Sequence, residues 1–441
     1  MIIIMDNTSL PTQPYKGARD FYPEDMRIRN YIFLKWKEVC ERFGYEEYDG
    51  PFIEPFEIYA AKSGEELVNE QIYSFIDRGD RKVAIRPEMT PTIARMVSQR
   101  YSELNYPIRW FSIPNLWRYE KPQKVRLREH FQLNVDIFGT DGVEADAEIV
   151  QIIVNLLKEF GADKNMFEIR MGNRILLEDV LKDANIPSSK FKDIMKAIDK
   201  LKKISVDDFK YILKEKADLK PKEIDSILSF LQSSNEYILK MKEKSPGAEE
   251  ILKTMKLLRL SGIESYVKYD PSVVRGLDYY TGNVFELFDL SPNNSRAMAG
   301  GGRYNNLVEG FIGKRISGVG FGMGDVTFRN FLENWHLLPQ IPQTTEFLIT
   351  VWPKEDGTKS DKYFNASLET ADILRKKGRN VILWLDANTK IEKQLKFADK
   401  KNIPYAVIIG DDEINNKKIT LKDMKEMKQK NLSISEFINI I

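Results

Sequence analysis

The sequence predicts an α+β protein in three regions, and three observations support this fold class. Its 441 residues correspond to about three domains at roughly 150 residues each. The composition shifts near residue 173, where Gly becomes rare, and shifts back near Tyr266, where aromatic and Gly-rich segments resume. Beyond Pro339 and Pro342, short apolar segments alternate with helical ones, which is typical of a separate small α/β unit.

The composition excludes several classes of protein. Lys+Arg (67) and Asp+Glu (66) nearly cancel, so a polyanion would have to bind local basic patches. The single cysteine, Cys40, excludes a disulfide framework, and two histidines leave little material for metal catalysis or a Ser-His-Asp triad. The leader, interrupted by Asp6 and Pro11, is too short for a signal peptide, and no apolar run reaches about 18 residues. We therefore expect a cytoplasmic protein that does not span a membrane.

Helix and strand patterns alternate through the first region. Pro23 begins a helix whose apolar residues recur at helical spacing through Cys40, and Gly44 ends it. A basic segment, 121–128, separates two strand-like segments. The other predicted elements are an extended stretch Tyr45–Pro55, a helix Thr92–Tyr101, strands Ile108–Tyr119 and Phe131–Phe138, and a helix Glu144–Leu157.

A helical insertion is predicted from about Asn173 to Ser261, because Lys, Asp, Ile and Leu dominate there and apolar residues recur at helical spacing. Extended, Gly-rich character then runs from Tyr266 to Gly324, and a helix follows to about Glu333. The lysines of the insertion either meet RNA phosphates or form a solvated helix face. They include Lys196, Lys200, Lys202 and Lys203.

The last region repeats a strand–helix alternation. Three short apolar runs, Phe347–Trp352, Val381–Leu385 and Tyr405–Ile409, read as strands. Helical segments with lysine-rich outer faces lie between them, at Asn365–Lys377 and Ile391–Lys401. This pattern predicts parallel strands in a small α/β unit.

Arginines stand at strand ends and beside glycine, which favours convergence on an anion. Arg118 ends an apolar strand, and Arg126 and Arg128 lie on the return strand or its approach. Arg275 is followed directly by Gly276. A planar guanidinium suits phosphate oxygens better than an ammonium does. The alternative is a set of surface ion pairs with neighbouring glutamates.

Acidic and aromatic residues complement these arginines. Glu88 lies between two prolines that fix its backbone, so its carboxylate could hold an ammonium group; the alternative is a helix cap, for which Thr90 is better suited. Gln132 and Asp136 are four apart on a strand and project from one face. The tyrosines that could close a polar pocket, or simply fill a core, are Tyr279, Tyr280 and Tyr304.

The glycine-rich segments do not form a known phosphate motif. The sequence contains no GxxxxGK[ST] segment, so a P-loop is excluded. Gly300–Gly302 and Gly318–Gly324 are rich in glycine, but the second reads as a strand that enters a helix without Rossmann geometry. Close packing of backbones explains such a string as well as a phosphate cradle does.

At these residues the chain resembles the histidyl-tRNA synthetases, which belong to class II of the aminoacyl-tRNA synthetases. The resemblance covers nearly the whole chain, from Lys16–Asp20 to the C-terminal unit. The first helix and the stretch to Pro55 are similar to motif 1, and Arg118–Glu129 is similar to motif 2. Arg275–Tyr280 and Ala299–Tyr304 resemble the two histidine-specific signatures of the family.

The resemblance implies a fold and an activity. The fold is an antiparallel six-stranded catalytic sheet with flanking helices, formed by residues 1–172 and 262–338. Residues 173–261 form a helical insertion, and 345–441 an anticodon-binding domain. The activity is ATP-dependent conversion of L-histidine to histidyl-adenylate, then transfer to the 3′ end of histidine tRNA with release of AMP and pyrophosphate. The resemblance also implies magnesium, with ligands that the sequence does not identify, and a homodimer through motif 1.

The resemblance also implies roles for individual residues. In the ATP site, Arg118 holds the α-phosphate, Arg126 the outer phosphates and Glu120 the adenine. Arg275 stabilises the same α-phosphate and the substrate carboxylate. His130 aligns with the residue that stacks on adenine, with Phe131 next to it. The residues implied for histidine are Glu88 and Thr90 at the ammonium group, and Gln132, Asp136, Tyr280 and Tyr304 around the imidazole. Tyr279 is also expected among the histidine-binding residues.

The chain departs from the family pattern in motif 3. Where the family has an arginine that clamps the γ-phosphate, this sequence has Thr327. Arg329 is two residues further, roughly 200° around a helix, so it cannot simply substitute. Two further departures lie outside motif 3. Val125 replaces a usual Gly in the motif 2 loop, and Asn305 replaces a usual Asp. We interpret these departures as a divergent branch with its own ATP contacts.

Three alternatives remain. The regulatory subunit of a histidine-biosynthetic phosphoribosyltransferase shares the catalytic fold, and the altered motif 3 supports it. That subunit usually lacks the anticodon domain and the histidine signatures, which this chain keeps. A purely RNA-binding protein would not need Glu88, Gln132 and Asp136. A sister synthetase specific for another amino acid is the third alternative.

Overall fold

The computed structural model describes residues 10–60, 67–123, 125–201, 204–233, 235–275, 279–292, 297–353 and 361–440. Contacts divide the chain into two compact units. The first comprises the described residues of 1–21 and 29–338, and the second those of 22–28 and 339–441. Lys202 and Lys203, predicted either to meet RNA phosphates or to lie on a solvated helix face, lie outside the described residues, as do residues 276–278 of the first histidine-like signature.

The helices of the described residues are as follows. They are α1 (Pro23–Arg42), α2 (Phe56–Ala60), α3 (Thr90–Gln99), α4 (Val143–Lys158), α5 (Arg174–Asp183), α6 (Phe191–Lys200), α7 (Val206–Glu215), α8 (Pro221–Leu231), α9 (Asn235–Met241), α10 (Pro246–Leu260), α11 (Glu309–Ile312), α12 (Asp325–Asn334), α13 (Asp361–Lys376), α14 (Ile391–Lys400), α15 (Asp411–Asn416) and α16 (Ile434–Ile440).

The strands of the described residues are as follows. They are β1 (Glu46–Glu47), β2 (Ile53–Pro55), β3 (Tyr73–Ile76), β4 (Lys82–Ile85), β5 (Ile108–Ser112), β6 (Asn115–Trp117), β7 (Glu129–Phe138), β8 (Phe167–Asn173), β9 (Val267–Tyr269), β10 (Asn283–Asp289), β11 (Ala297–Arg303), β12 (Gly318–Gly324), β13 (Phe347–Ile349), β14 (Val381–Leu383), β15 (Tyr405–Ile408), β16 (Lys418–Asp423) and β17 (Gln429–Ser433).

A large mixed sheet forms the centre of the first unit. Its order is β1-β5-β7-β12-β11-β10-β8-β9, and β6 also pairs with β7. The six strands from β5 to β8 in that order pair antiparallel, which confirms the expected six-stranded antiparallel arrangement within an α+β fold. The short strands β1 and β9 pair parallel at its two ends. A second sheet has the order β2-β4-β3.

Local sequence explains the main elements. Pro23 opens α1, acidic residues fill its first turn and Arg42 its last, as the helix dipole favours. Gly44 follows with φ +77°, a left-handed conformation that ends the helix. Strand β7 is buried along its last six residues, so both of its faces are covered. This burial makes β7 the central scaffold for side chains of the site.

The helices α5 to α10 enclose a hydrophobic cluster of their own. Its fully buried members include Leu176, Ile194, Phe209 and Ile227. Val274, from the chain that follows these helices, also packs into this cluster. The helical region therefore contacts the segment that leads directly to Arg275.

The second unit contains a five-stranded sheet with the order β14-β13-β15-β16-β17. The parallel pairing predicted for the three apolar strands is confirmed. Two further strands, β16 and β17, pair antiparallel beside β15 and were not predicted. Their sequences alternate weakly and carry many polar residues, so they lack the apolar runs that identified the others.

Candidate functional site

One face of the large sheet carries two rows of register partners. Because successive residues on a strand alternate between faces and paired residues share a face, both rows belong to the same surface. The first row is Ser112, Asn134, Gly322, Gly300, Glu286 and Arg170, and the second is Trp110, Asp136, Gly320, Gly302, Val284 and Gly172.

The glycines of this surface, which we call the glycine floor, are Gly172, Gly300, Gly302, Gly320 and Gly322. They let other groups lie directly against the sheet, since an added Cβ would overlap a neighbouring group at each position. The groups in the way are the Val273 carbonyl oxygen over Gly172, the Arg275 guanidinium over Gly300, the Asn283 carbonyl oxygen beside Gly302, Asp136 Oδ1 over Gly320 and Gln132 Nε2 over Gly322. Close approach thus explains a glycine string that the sequence left open.

Arg275 lies on this floor in a strained conformation. Its φ is +58°, in the left-handed region that few side-chain-bearing residues adopt. Its Nη1 donates to Glu286 Oε1 at 2.8 Å. Burial lowers the pKa of Arg275, but the hydroxyl of Tyr280 and the carboxylate of Glu286 together raise it above its ordinary value, so the guanidinium stays charged. Sequence reasoning missed Glu286, although a lone carboxylate within an apolar strand was an available signal.

Arg174 holds the backbone on both sides of this segment. The buried guanidinium donates from Nε to Val274 O (3.0 Å), from Nη2 to Arg275 O (2.7 Å) and from Nη1 to Tyr280 O (3.2 Å). The backbone oxygens of two consecutive residues and of Tyr280, five positions further along the chain, therefore converge on one side chain. Sequence reasoning missed Arg174 too, because nothing in the pattern separates it from an ordinary surface arginine.

Arg118 lies close enough to Arg275 for their charges to interact. Its Nε donates to Pro87 O at 2.8 Å, which fixes the guanidinium beside Glu88. Burial lowers the pKa of Arg118, and the charge of Arg275 lowers it further, while Glu88 opposes the shift. No described carboxylate lies within ion-pair distance of Arg118. The structure therefore brings two arginines from distant parts of the chain together without fully neutralising them.

Glu88 is buried and faces the tyrosines rather than capping a helix. Tyr279 Oη donates to Glu88 Oε2 at 3.3 Å. Burial and the Glu88 charge raise the pKa of Tyr279, while the Thr90 hydroxyl, which bonds to it, opposes the shift. The N-cap of α3 is Met89, so the capping interpretation of Glu88 is wrong. Glu88, Thr90 and Tyr279 form one polar cluster beside Arg118.

Asp136 and Tyr304 form a buried pair over the floor. The Tyr304 hydroxyl donates to Asp136 Oδ1. Burial raises the pKa of Asp136 to about 7, although this hydrogen bond opposes the shift. The Tyr279 ring packs edge-on against Tyr304 at 5.9 Å and lies 4.8 Å from Tyr280. The predicted pocket residues thus meet in one place.

Glu120 and Arg126, both assigned to ATP, form an ion pair with each other in this structure. His130 projects from β7 on the same face as Gln132. Burial lowers the pKa of His130 to about 3, and the charges of Arg118, Arg19 and Arg126 contribute, so its imidazole is neutral near pH 7. The positive charges of three guanidinium groups therefore act on one uncharged ring.

Two predicted residues lie elsewhere. Phe131, one position from His130 on β7, projects from the opposite face, where it packs against Phe33 at 5.5 Å and under Arg29. Strand alternation therefore contradicts its assignment to the ATP site. Arg128 does not join the other arginines, because its guanidinium stacks on Tyr119 at 4.1 Å and bonds to Tyr15 and the Glu120 backbone.

On α12, neither Thr327 nor Arg329 replaces the arginine that motif 3 lacks in this chain. The Thr327 hydroxyl donates within its own neighbourhood, to Met298 O at 3.2 Å or Gly324 O at 3.1 Å. Arg329 Nε donates to Glu333 one turn along the helix, at 2.8 Å. Neither side chain is directed by these contacts toward Arg118.

Among the residues that the structure describes, no group of three or more His, Cys, Asp or Glu side chains is arranged to hold a metal ion. The helices among these residues include none with the length and apolar character needed to cross a lipid bilayer.

Comparisons with known proteins extend over the whole chain. The family model for histidyl-tRNA synthetase matches residues 17–325, and that for an anticodon binding domain matches 349–441. The chain is 44% identical over 443 residues to a histidine–tRNA ligase of Leptospira biflexa serovar Patoc, covering 99% of each chain. It is 36% identical over 429 residues to one of Thermoplasma volcanium, covering 96% of each. The fold resembles histidyl-tRNA synthetase from Nostoc sp. PCC 7120, with a TM-score of 0.79, 24% identity and coverage of 98% and 100%.

Proposed function

The chain belongs to the histidyl-tRNA synthetase family, and on that premise we propose how its own residues carry out the reaction. It attaches histidine to histidine tRNA in a ligation that consumes ATP. The observation that carries the residue assignments is the meeting of Arg118 and Arg275 beside the Glu88 and Asp136 clusters.

Adenylate formation needs charge neutralisation and positioning more than acid–base chemistry. The histidine carboxylate attacks the α-phosphorus of ATP, and pyrophosphate leaves with its electron pair. Negative charge gathers on the α-phosphate oxygens as the new bond forms. Arg118 and Arg275 bind those oxygens, and because both guanidinium groups are already held by protein contacts, little reorganisation is needed. Arg275 also binds the substrate carboxylate and aligns it for attack.

Histidine specificity comes from polar groups over the glycine floor. Asp136, aligned by Tyr304, accepts a ring N–H of the imidazole, while Gln132 and Tyr280 complete the pocket wall. Glu88, with Thr90 and Tyr279, binds the ammonium group. A ligand without ring nitrogens could not donate to the buried Asp136, and the loss of that hydrogen bond penalises its binding.

The nucleotide base and the outer phosphates occupy the side of the site near His130. The neutral imidazole of His130 stacks on adenine, Glu120 contacts the base and Arg126 the outer phosphates. Since Glu120 and Arg126 pair with each other here, their ion pair must open when ATP binds. Magnesium accompanies ATP. The described residues provide no all-protein metal cage, so we assign it no protein ligands and no separate step.

The larger organisation is part of the proposal. Residues 1–172 and 262–338 form the catalytic domain, 173–261 the helical insertion over the tRNA acceptor arm, and 345–441 the anticodon-binding domain. A homodimer forms through the first helix and the stretch to Pro55, and the enzyme works in the cytoplasm.

Histidine-dependent ATP–pyrophosphate exchange tests the proposal. The wild-type protein should exchange pyrophosphate only with histidine present, and Arg275→Ala should lower the rate about 10²–10³-fold. Arg259→Ala, which removes a surface arginine paired with Glu264, is the matched control and should retain the wild-type rate. Intact histidine binding without any exchange would favour a regulatory paralogue. Binding of tRNA without histidine charging would favour a purely RNA-binding protein.

A further inference from the structure

A buried ion pair lies behind the histidine pocket, on the face of the large sheet opposite the glycine floor. Arg303 follows Gly302 on β11, so its side chain projects from the other face. There it meets Asp146 of α4, and the two side chains are only 3% and 0% exposed. Because removing two charges from water is costly, apolar residues in such a place are often at least as stabilising. The pair therefore calls for an explanation other than stability.

The Arg303 guanidinium joins β11 to the end of β7. Its Nε donates to Asp146 Oδ2 at 3.0 Å, its Nη1 to Thr140 O at 2.9 Å and its Nη2 to Gly142 O at 2.7 Å. Nη2 also donates to Asp146. Thr140 and Gly142 belong to the short segment between β7 and α4. One side chain thus fixes the end of β7 relative to the end of β11.

The same two strands are joined on the glycine-floor face by the hydrogen bond from Tyr304 to Asp136. Strand β12 lies between β7 and β11, and Arg303 is in register with Val319 of β12. The Tyr304 N–H donates to Gly318 O at 2.8 Å, and its ring lies where a Cβ on Gly318 would be. Two bridges over β12, one on each face, therefore begin at consecutive residues.

The backbone around Arg303 is held as well. Arg303 O accepts from the Thr281 N–H at 2.7 Å, and Thr281 Oγ1 accepts from the Asn305 N–H at 3.0 Å. Thr281 directly follows the last residue of the first histidine-like signature. The chain is thus fixed on both sides of Tyr304, and the ion pair anchors it from behind.

We propose that the Asp146–Arg303 ion pair positions the Tyr304 hydroxyl and, through it, the Asp136 carboxylate for recognition of the imidazole. This inference rests on the proposed role of Asp136 in accepting a ring N–H of histidine. Neither member of the ion pair touches the substrate, so both are positioning residues. Since a hydrogen bond weakens steeply as its angle departs from linearity, a small displacement of Tyr304 is enough to alter histidine binding.

Histidine-dependent exchange kinetics of Asp146→Asn test the assignment. The substitution keeps the size of the side chain and removes its charge. KM for histidine should rise about tenfold, while KM for ATP should stay within about twofold.

Asp325→Asn is the matched control. It breaks another ion pair of a buried aspartate, in which Arg19 Nη2 donates to Asp325 Oδ2 at 2.8 Å. This pair lies near the start of β7, where Asp325 also accepts the Phe131 N–H at 2.9 Å. Both variants should lower the free energy of unfolding, but the control should leave KM for histidine within about twofold of the wild type.

A double-mutant cycle separates positioning from simple support of the fold. Tyr304→Phe removes the hydroxyl and should itself raise KM for histidine about tenfold. In that background Asp146→Asn should cause no further rise, because the group that the ion pair positions is absent. Increases that multiply in the double variant would overturn the inference, as would an unchanged KM for histidine in Asp146→Asn alone.

Arg303→Lys provides the same test if Asp146→Asn does not fold. Its ammonium keeps the charge but not the planar fork of donors that Thr140, Gly142 and Asp146 share. KM for histidine should again rise, and the rise should again disappear without the Tyr304 hydroxyl. Failure of the wider proposal looks different: Tyr304→Phe itself would leave KM for histidine unchanged, or the wild-type protein would show no histidine-dependent exchange, and the inference would fall with it.

Discussion

Arg174 Nη2 donates to the backbone oxygen of Arg275 at 2.7 Å, so one arginine holds the chain that bears the other. Arg174 begins α5, the first helix of the helical region, and the Val274 side chain packs into that region's hydrophobic cluster. The left-handed conformation of Arg275 costs about 1–3 kcal/mol and persists only where its surroundings impose it. The helical region and the catalytic arginine are therefore linked through one buried guanidinium.

We predict that Arg174→Ala lowers the rate of adenylate formation about tenfold or more, because Val274, Arg275 and Tyr280 lose a shared donor and the Arg275 guanidinium loses its fixed position. Arg174→Lys keeps the charge but not the planar guanidinium. Its rate of adenylate formation should lie between those of Arg174→Ala and the wild type. Single-turnover kinetics measure the effect, with far-UV circular dichroism as a check on the folded state. A change in KM for histidine with an unaltered rate would show that Arg174 does not act through Arg275.

Substitutions in the glycine floor should affect the Arg275 part of the site and the Gln132 part of the site in different ways. Gly300→Ala displaces the Arg275 guanidinium, so we expect a lower rate constant for adenylate formation. Gly322→Ala displaces Gln132 Nε2, so we expect a higher KM for histidine. Gly324→Ala, where an added Cβ meets nothing closer than Thr327 Oγ1 at 3.5 Å, is the matched control. Identical kinetic defects in the first two variants would contradict the separate placement of Arg275 and Gln132.

Asp136→Ala should weaken histidine binding more than ATP binding. The substitution removes the acceptor that Tyr304 aligns and that the imidazole N–H would use. We expect KM for histidine to rise about ten- to a hundredfold while KM for ATP stays within about twofold. Steady-state exchange kinetics with each substrate varied in turn provide the measurement. Equal increases for both substrates would put Asp136 outside the imidazole pocket.

The raised pKa of Asp136 should also appear in the pH dependence of stability. Burial raises it to about 7 from an unfolded value near 4, so the folded state binds an extra proton between these pH values. This stabilising contribution is complete below about pH 4 and is lost as the pH rises through 7. Asp136→Asn lacks the loss, so its free energy of unfolding relative to wild type should rise by on the order of 2–3 kcal/mol from pH 5 to pH 8. Urea unfolding of both proteins at pH 5 and pH 8 provides the measurement. The same difference in unfolding free energy between Asp136→Asn and wild type at the two pH values would refute this prediction.

Periodicity predicted most of the fold. The helices α1 and α4 and the strand β12 with its following helix were placed within a few residues, because burial on one face leaves a regular apolar pattern. The strands β16 and β17 were missed because their polar composition hides that pattern. The antiparallel six-stranded arrangement of the large sheet came from family resemblance. Its pairing order was not predicted, since register depends on contacts between distant segments.

Site residues could be predicted where the reaction requires an unusual residue in a motif. They could not be predicted where a residue only supports a neighbouring side chain. Asp136 and Arg275 stood out by motif, whereas Arg174 and Glu286 only support a neighbour, and no local signal marks that role. Phe131 was misplaced by a single position, and on a strand one position changes the face. The Arg19–Asp325 pair joins the two ends of the catalytic region, so only a folded structure reveals it.

A crystal structure with a non-hydrolysable analogue of histidyl-adenylate would show whether Arg118 and Arg275 bind one phosphate group. We expect both guanidinium groups to lie within hydrogen-bond distance of the group that replaces the α-phosphate, with the imidazole against Asp136. An analogue bound to only one of these arginines, or seated away from the glycine floor, would contradict it.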